Sequence, residues 1–273
     1  MKTMLVPVDF SQACDNALDY ALKFAQKAKL HIHLLNVYDY AFVSTDPYIW
    51  VPSSDELVEE NLKRLEIMRE KIHQQFGKEL KVTCHCQPGT VIDTVNAFAE
   101  KHHVDLIIMG MQGGGFVSEK IIGSTATSLM RESVCPVMGI GKEVKFHGLD
   151  RIVLATDHQD ADYKKILKPL KDLIAIFQAH LYVLYVVEPV VKLEEGIVTG
   201  LQVMRALEDI PYTEHTLAHD DVASAVSQFV EDKAINMAVI IPRKHSFFYS
   251  LFHEPNTKKL AFQTNVPLLA LHE

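Results

Sequence analysis

Glycines and hydroxyl residues are concentrated in one short segment of the first half of the chain. The segment reads Gly110-Met-Gln-Gly-Gly-Gly115 and, seven residues later, continues as Gly123-Ser124-Thr125. Glycines let a backbone approach a bulky anion and adopt positive φ angles, and their N–H groups can form an anion-binding nest. A helix that begins near Ser124 would add free N–H groups and a favourable dipole. These residue types therefore predict a phosphate-binding loop.

Two common phosphate-binding motifs do not describe this loop. No lysine follows Gly123, so the GxxxxGK[ST] motif is excluded. A dinucleotide fingerprint would follow the first strand, whereas these glycines follow the fourth predicted strand. A glycine-rich turn without any ligand stays open as the alternative at this point.

Short apolar runs alternate along the chain with stretches of helical periodicity. In the helix that follows Ser11, a typical N-cap residue, apolar residues recur every three or four positions. The strands predicted in the first half are Met4–Val8, His31–Val37, Leu80–Cys86, Asp105–Met109 and Pro136–Ile140. Helices are predicted to begin after Ser11 and Ser53 and near Ser124, and another spans Val91–Lys101. In the second half, Pro169 lies inside a helical pattern and weakens it.

This alternation indicates an α/β fold in which helices cover both faces of a parallel sheet. Ligands bind such sheets beyond the carboxyl ends of the strands, where the strand order reverses. Asp9 ends the first predicted strand and Gly110 follows the fourth. We therefore expect Asp9 and the glycine loop to lie at the same edge of the sheet.

The two halves of the chain are diverged copies of one unit. Asp9 and Asp157 end similar apolar runs 148 residues apart, and His31 pairs with His180 at an offset of 149. From Val91 to the end the offset is 131. The first copy therefore holds 18 additional residues between Val37 and Gly89, a region that includes Trp50, the only tryptophan. The linker is predicted at residues 141–150, which are polar and contain glycines.

The second copy lacks the glycine loop. At the offset of 131, the equivalents of Gly110, Gly113, Gly123 and Ser124 are Ile241, Lys244, Glu254 and Pro255. Side chains would fill the space of a phosphate, and a proline has no N–H to donate. We predict no nucleotide in the second half.

The glycine loop also resembles a known signature. The spacing Gly110-x2-Gly113-x9-Gly123-Ser124 is similar to the nucleotide-binding signature of the universal stress protein family. Pro7-Val8-Asp9 resembles the opening motif of that family, and Val134-Cys135-Pro136-Val137 resembles its final strand. The resemblance spans the chain as two tandem domains, a nucleotide-binding domain at residues 1–141 and a degenerate domain at residues 150–273.

The resemblance implies a fold, a ligand and a set of contacts. The fold would be two tandem, doubly wound, parallel five-stranded sheets of the adenine nucleotide alpha hydrolase-like type. The ligand would be ATP, or ADP or AMP, with Mg²⁺ or Mn²⁺ as an accompanying ion. The implied binding residues are Pro7 in the opening motif, Asp9 and Val37 at the adenine and ribose, Met109 and Gly110 beside the ribose, and Gly113, Gly123, Ser124 and Thr125 at the phosphates. The protein would be a nucleotide-responsive regulator of a stress response rather than an enzyme.

The composition limits the partners. The 273 residues carry a net charge of −8, which disfavours nucleic acid and anionic membranes as partners. The four cysteines lie in the first half without a C-x-x-C spacing, so we predict reduced thiols and a cytoplasmic location. Each sheet has an edge at its last strand, and the resemblance implies that these edges, Pro136–Ile140 and Pro267–Leu271, pair with each other. A homodimer of the whole chain stays open.

The residues leave two further functions open. Asp9 could serve as a general base, which would make the protein a slow ATP hydrolase. The second half contains an aromatic patch, Phe247, Phe248, Tyr249 and Phe252, which would either plug the vacated pocket or bind a lipid or a partner protein. Three histidines of this half, His158, His245 and His253, could hold zinc if they converge at the strand ends.

Overall fold

A computed structural model of the chain describes residues 1–38, 54–111, 123–156, 162–187, 202–218, 222–242 and 266–272. The predictions for Trp50, Asp157, the aromatic patch and the three candidate zinc histidines concern residues outside these ranges.

Strands and helices alternate in the first half as the sequence predicts. The strands are β1 (Thr3–Pro7), β2 (His31–Tyr38), β3 (Val82–Pro88), β4 (Leu106–Gly110) and β5 (Val137–Ile140). The helices are α1 (Gln12–Ala28), α2 (Ser54–Phe76), α3 (Val91–Lys101) and α4 (Ser124–Glu132). The prediction for α3 matches the observed bounds, and β3 begins two residues later than predicted.

The second half repeats this order. Its strands are β6 (Arg151–Thr156), β7 (His180–Val187), β8 (Tyr212–Ala218), β9 (Met237–Ile240) and β10 (Leu268–Ala270). Its helices are α5 (Tyr163–Ile166), α6 (Lys168–Phe177), α7 (described over 202–206) and α8 (Val222–Asp232). Pro169 lies in the first turn of α6, where a proline is tolerated because the first helical N–H groups have no partner in the helix. The single helical pattern of the sequence is therefore divided at Leu167.

The strands form one ten-stranded sheet in the order β3-β2-β1-β4-β5-β10-β9-β6-β7-β8. Within each half the strands are parallel, and the two halves join through the antiparallel pair β5–β10, in which Leu269 lies opposite Met138. The predicted pairing of the two last strands is confirmed. In each half the chain places two strands on one side of its first strand and then crosses to the other side, which creates a switch point between β1 and β4 and between β6 and β9.

Buried side chains form one core on each face of the sheet. The first core contains residues of α1, α2 and α6, and the second contains residues of α3, α4 and α8. The apolar face predicted for α1 is buried, and Ser11 caps this helix by accepting a hydrogen bond from the N–H of Cys14. The helix therefore begins where its sequence predicts.

The predicted linker contributes apolar side chains to the core, although most of its residues are polar or glycine. Val144 and Leu149 are buried, and Phe146 packs between Tyr20 and Phe24 of α1 and Phe177 of α6. The sequence pattern missed this because three spaced apolar residues in a short polar segment have no helical or strand periodicity. The linker is therefore part of the core that the two halves share.

The backbone repeats in detail between the halves. Lys29 and Gln178, which end α1 and α6, both have left-handed φ angles, 56° and 54°. His103 and Ala234, which follow α3 and α8, also match, at 50° and 48°. These pairs lie at the offsets of 149 and 131 found in the sequence.

Two sequence predictions, on membrane-spanning helices and on the state of the cysteines, can be compared with the structure. Among the described residues, no helix is both long enough and apolar enough to cross a membrane. The four cysteines all lie in described ranges and are free thiols; Cys14 and Cys135 are buried, whereas Cys84 and Cys86 are half-buried.

Candidate functional site

The carboxyl ends of β1 and β4 lie side by side at the first switch point. Met4 and Leu5 of β1 pair with Leu106 and Ile107 of β4. The strands then end at Pro7 and Gly110, so the segments that follow both strands leave the sheet at the same edge. This edge brings together the two features that the sequence analysis singled out.

Asp9 lies in the turn between β1 and α1. It is exposed, and its Oδ1 atom accepts a hydrogen bond of 2.9 Å from the N–H of Ser11. Phe10 has a φ angle of 60°, which is uncommon for a residue with a bulky side chain. The guanidinium group of Arg64, from α2, lies 3.7 Å above the centroid of the Phe10 ring. The carboxylate is thus held in a fixed turn whose other contacts come from a second helix.

Asn36 joins the ends of β1 and β2. Its side-chain amide donates a hydrogen bond of 2.8 Å to the carbonyl oxygen of Val8, and the N–H of Val8 donates to the carbonyl oxygen of Leu35 at 2.8 Å. Asn36 is 5% exposed, so this amide is satisfied inside the protein. It positions Val37, one residue further along β2. Asn36 is not among the predicted site residues, although a polar residue in a buried apolar strand is a signal for such a role.

Gly110 lies too close to α1 for any side chain. A Cβ atom at this position would be 2.8 Å from the carbonyl oxygen of Ala13. The end of β4 therefore packs directly on the first turn of α1. The preceding residue, Met109, is 8% exposed and its side chain belongs to the second core, so only its backbone can contact a ligand.

The two ends of the loop after β4 lie close together. The N–H of Gly123 donates a hydrogen bond of 2.6 Å to the carbonyl oxygen of Met111. The predicted site residue Gly113 lies between these two residues, outside the described ranges. The two described ends of the loop, Met111 and Gly123, therefore lie together beside the end of β4.

Helix α4 begins at the same place. Its N-cap is Gly123, which has no side chain to bond the first N–H groups of the helix. Ser124 is exposed and Thr125 is half-buried, whereas Ala126 is 2% exposed and packs in the second core. The polar start of the helix therefore faces away from the core. An uncapped helix N-terminus favours an anion through its free N–H groups and its dipole.

The structure thus places eight of the nine predicted site residues around one switch point. Pro7 ends β1 and Asp9 follows it, Val37 is the last residue but one of β2, Met109 and Gly110 end β4, and Gly123, Ser124 and Thr125 begin α4. This arrangement offers a carboxylate on one side and a set of anion-binding N–H groups on the other. Ligand contact by these residues stays a prediction.

The second switch point has different chemistry in its described part. Ile241, at the position of Gly110, is 3% exposed and packs in the first core. Tyr185 replaces Asn36 and is 3% exposed, and burial raises the pKa of its phenol. Thr156, at the position of Val8, lies 3.4 Å from the hydroxyl group of Tyr163. Bulky side chains therefore pack beneath this edge.

Comparison with known proteins decides the family. The model of the universal stress protein family matches residues 1–140. The chain belongs to the universal stress protein family. A universal stress protein of Methanocaldococcus jannaschii is 27% identical over 148 residues, which cover 53% of this chain and 84% of that protein. A universal stress protein of Bacillus subtilis is 29% identical over 144 residues, which cover 50% and 95%.

The fold of both halves has a counterpart among solved structures. A universal stress protein from Archaeoglobus fulgidus aligns over 98% of this chain and 97% of its own, with a TM-score of 0.71 and 16% identity. That likeness shows the fold alone. It confirms the prediction of two doubly wound α/β units for this universal stress protein.

Proposed function

We propose that the N-terminal half binds an adenine nucleotide, ATP in the first place, and that the protein is a nucleotide-responsive regulator in a cytoplasmic stress response. One observation carries the proposal. The Asp9 turn, the two ends of the glycine loop at Met111 and Gly123, and the uncapped start of α4 meet at the β1–β4 switch point. A switch point is where open α/β sheets bind ligands.

The two sides of the site suit different parts of a nucleotide. The exposed carboxylate of Asp9 can accept hydrogen bonds from ribose hydroxyl groups, and Val37 offers an apolar surface to a base. The N–H groups at the start of α4 and the loop glycines suit the phosphates. Membership in the universal stress protein family supports this orientation, because the glycine spacing is similar to that family's nucleotide-binding signature.

A divalent ion would enter with the nucleotide. Among the described residues, no group of three histidine, cysteine, aspartate or glutamate side chains is arranged to hold a metal ion. Mg²⁺ commonly keeps several waters and takes its remaining ligands from substrate phosphates and one or two carboxylates. The phosphates would therefore be the main ligands of Mg²⁺ or Mn²⁺ here.

The second half is proposed to bind no nucleotide. Ile241 and Tyr185 occupy the positions of Gly110 and Asn36, and both are buried. The predicted stoichiometry is one nucleotide per chain. Native mass spectrometry of freshly purified protein, before and after addition of Mg-ATP, measures it. Two nucleotides per chain would overturn the interpretation of the second half, and none would overturn the proposed function.

A substitution that places a negative charge at the start of α4 tests the phosphate position more sharply. Ser124→Glu puts a carboxylate at the start of α4, where it suits the helix dipole but repels a phosphate. Calorimetric titration should show ATP affinity lowered by about tenfold or more, with adenosine affinity nearly unchanged. Ser128→Glu, the same substitution one turn later, is the matched control. Equal losses in both variants would contradict a phosphate at the start of α4.

The same samples separate a binder from a hydrolase. A regulator should release no phosphate above the buffer rate over hours, whereas the hydrolase alternative requires linear release that Asp9→Asn abolishes. Asp157→Asn is the matched control, since Asp157 is the equivalent of Asp9 in the second half.

A further inference from the structure

Four histidines of the first half form a cluster between the sheet and α3. His31 and His33 lie on the same face of β2, His85 lies on β3, and His102 follows α3. The ring centroids are 4.3 Å apart for His31 and His33, 5.2 Å for His33 and His85, and 5.5 Å for His33 and His102. Phe98 of α3 lies among them, stacked on His102 at 4.1 Å.

One hydrogen bond in the cluster joins two imidazoles. Nδ1 of His33 lies 3.1 Å from Nε2 of His85, and Nε2 of His31 lies 2.7 Å from the hydroxyl oxygen of Thr83. In a bond between imidazoles, one nitrogen donates its proton and the other must be unprotonated to accept it. The His33–His85 pair can hold one extra proton and keep this bond. A second proton removes the acceptor and leaves two cations in contact.

The groups that face the cluster are neutral or positively charged. His33 faces His31, His85 and His102, and His31 also lies near Lys81 of the segment before β3. On α3, Glu100 and Lys101 are exposed to solvent. In the described part of the chain, no carboxylate acts on His31, His33 or His85. A proton bound here would therefore lack a counter-ion.

Burial and neighbouring positive charges both lower the pKa values of His31, His33 and His85. Burial, followed by the charges of its three histidine neighbours, lowers the pKa of His33 to about 4. Burial also lowers the pKa of His31 and of His85. In the unfolded chain these side chains bind protons near pH 6.5. Between about pH 6.5 and pH 4 the unfolded chain therefore binds more protons than the folded one, and folding stability falls as the pH falls.

The second half carries a similar arrangement with two changes, one of which is Lys233 at the position of His102. His180 bonds the hydroxyl group of Thr213 at 2.9 Å, as His31 bonds Thr83. The ring of His215 lies 5.0 Å from that of Phe229, as His85 lies 4.7 Å from Phe98. At the position of His33 stands Tyr182, 4.7 Å from His180 and 5.9 Å from His215. A tyrosine binds no extra proton at mild acid, so the imidazole pair exists only in the first of these two clusters.

We propose that the histidine cluster is an acid-sensitive lock, which releases β3 and the end of α3 from β2 in mild acid while the second half stays closed. The proposal concerns the free protein and goes beyond nucleotide binding. The half that opens is the one that carries the candidate site. Protons, rather than a metal ion, are the ligands of this cluster, since the described residues contain no group suited to hold a metal.

The chain supplies its own internal control for the test. After α3, the N–H of His102 donates to the carbonyl oxygen of Phe98 at 3.0 Å, and that of Val104 donates to Ala99 at 2.9 Å. After α8, Lys233 bonds Phe229 at 3.1 Å and Ile235 bonds Val230 at 2.9 Å. The two pairs of amides have equivalent backbone partners, but only the pair after α3 lies beside the two bonded imidazoles.

Hydrogen exchange of the full chain, without nucleotide, should be measured by mass spectrometry at pH 7.5 and pH 5.5. After correction for intrinsic exchange rates, protection over residues 82–104 should fall by about tenfold for one displaced proton, and more for two. Protection over residues 212–235 should change far less. Parallel losses in the two halves, or no loss in the first, would overturn the proposal.

Two variants assign the effect to the imidazole pair. His33→Tyr installs the residue of the second half and should abolish most of the pH dependence of protection in the first half. His85→Gln keeps a polar group at the half-buried position and provides the measurement if His33→Tyr does not fold. Tyr182→His, in the second half, should create acid sensitivity there. The lock is refuted if both first-half variants keep the pH dependence of the wild type.

Discussion

The side-chain amide of Asn36 bonds the carbonyl oxygen of Val8 at 2.8 Å and joins the ends of the two strands that carry Asp9 and Val37. Asn36 and Val8 are both buried, so water cannot replace either group as a hydrogen-bond partner of the other. Asn36 is therefore a positioning residue for the candidate site. Tyr185 occupies its place in the second half and is buried.

Asn36→Ala should lower both stability and nucleotide affinity. The variant leaves the Val8 carbonyl oxygen without its buried donor, which costs about 1–3 kcal/mol in the free energy of unfolding. Urea unfolding measures this change, and calorimetric titration with ATP measures the affinity. Asn16→Ala is the matched control, since Asn16 also bonds carbonyl oxygens, those of Gly141 and Val144 in the linker. It should lower stability and leave affinity nearly unchanged; equal affinity losses would remove the positioning role of Asn36.

Gly110→Ala should destabilise the first half. The added Cβ atom would lie 2.8 Å from the carbonyl oxygen of Ala13, so α1 or β4 has to shift. Overpacking of this kind costs about 1–3 kcal/mol. In Gly141→Ala the nearest atom is a methyl group of Val144 at 3.2 Å, a side chain that can move. The midpoint temperature of thermal unfolding should be much lower for Gly110→Ala than for Gly141→Ala. The reverse order would show that the end of β4 tolerates a side chain.

Phe146→Ala should weaken the coupling between the halves. The Phe146 ring lies 5.2 Å from Tyr20 and 6.0 Å from Phe177, and thus bridges α1 and α6. Because the ring is only partly buried, we expect a loss of about 2–4 kcal/mol. Calorimetry should show a broadened or divided transition. Phe76→Ala, at the end of α2, removes a ring that packs on the same core within the first half and should lower the transition without dividing it. A single sharp transition in both variants would count against the bridging role.

The thiols should differ in their reactivity. Burial raises the pKa of Cys14 to about 11 and that of Cys135 to about 12, so at pH 8 both remain protonated and shielded in the folded protein. Cys86 is only half-buried, although burial raises its pKa as well. With iodoacetamide at pH 8, Cys86 should be modified before Cys14 and Cys135, which should react after unfolding in urea. Early modification of Cys14 would contradict its buried position.

The sequence by itself determined the elements and their order. The apolar face of α1, its cap at Ser11 and the bounds of α3 all followed from local periodicity, because neighbours along a helix or strand decide such patterns. The pairing of β5 with β10 was implied by the resemblance to the family, in which the edges of the last strands pair. The glycine spacing predicts a phosphate-binding loop, and this stays a prediction.

The tertiary structure alone decided which distant residues meet. His33 and His85 lie 52 residues apart in the chain, and only the register of β2 with β3 brings their rings together. The contact of Gly110 with Ala13 depends on how closely α1 packs on β4, and the burial of Phe146 depends on the second half. Local periodicity reports which face of an element is apolar. Register and packing distance arise from all the elements together, and no short segment of sequence contains them.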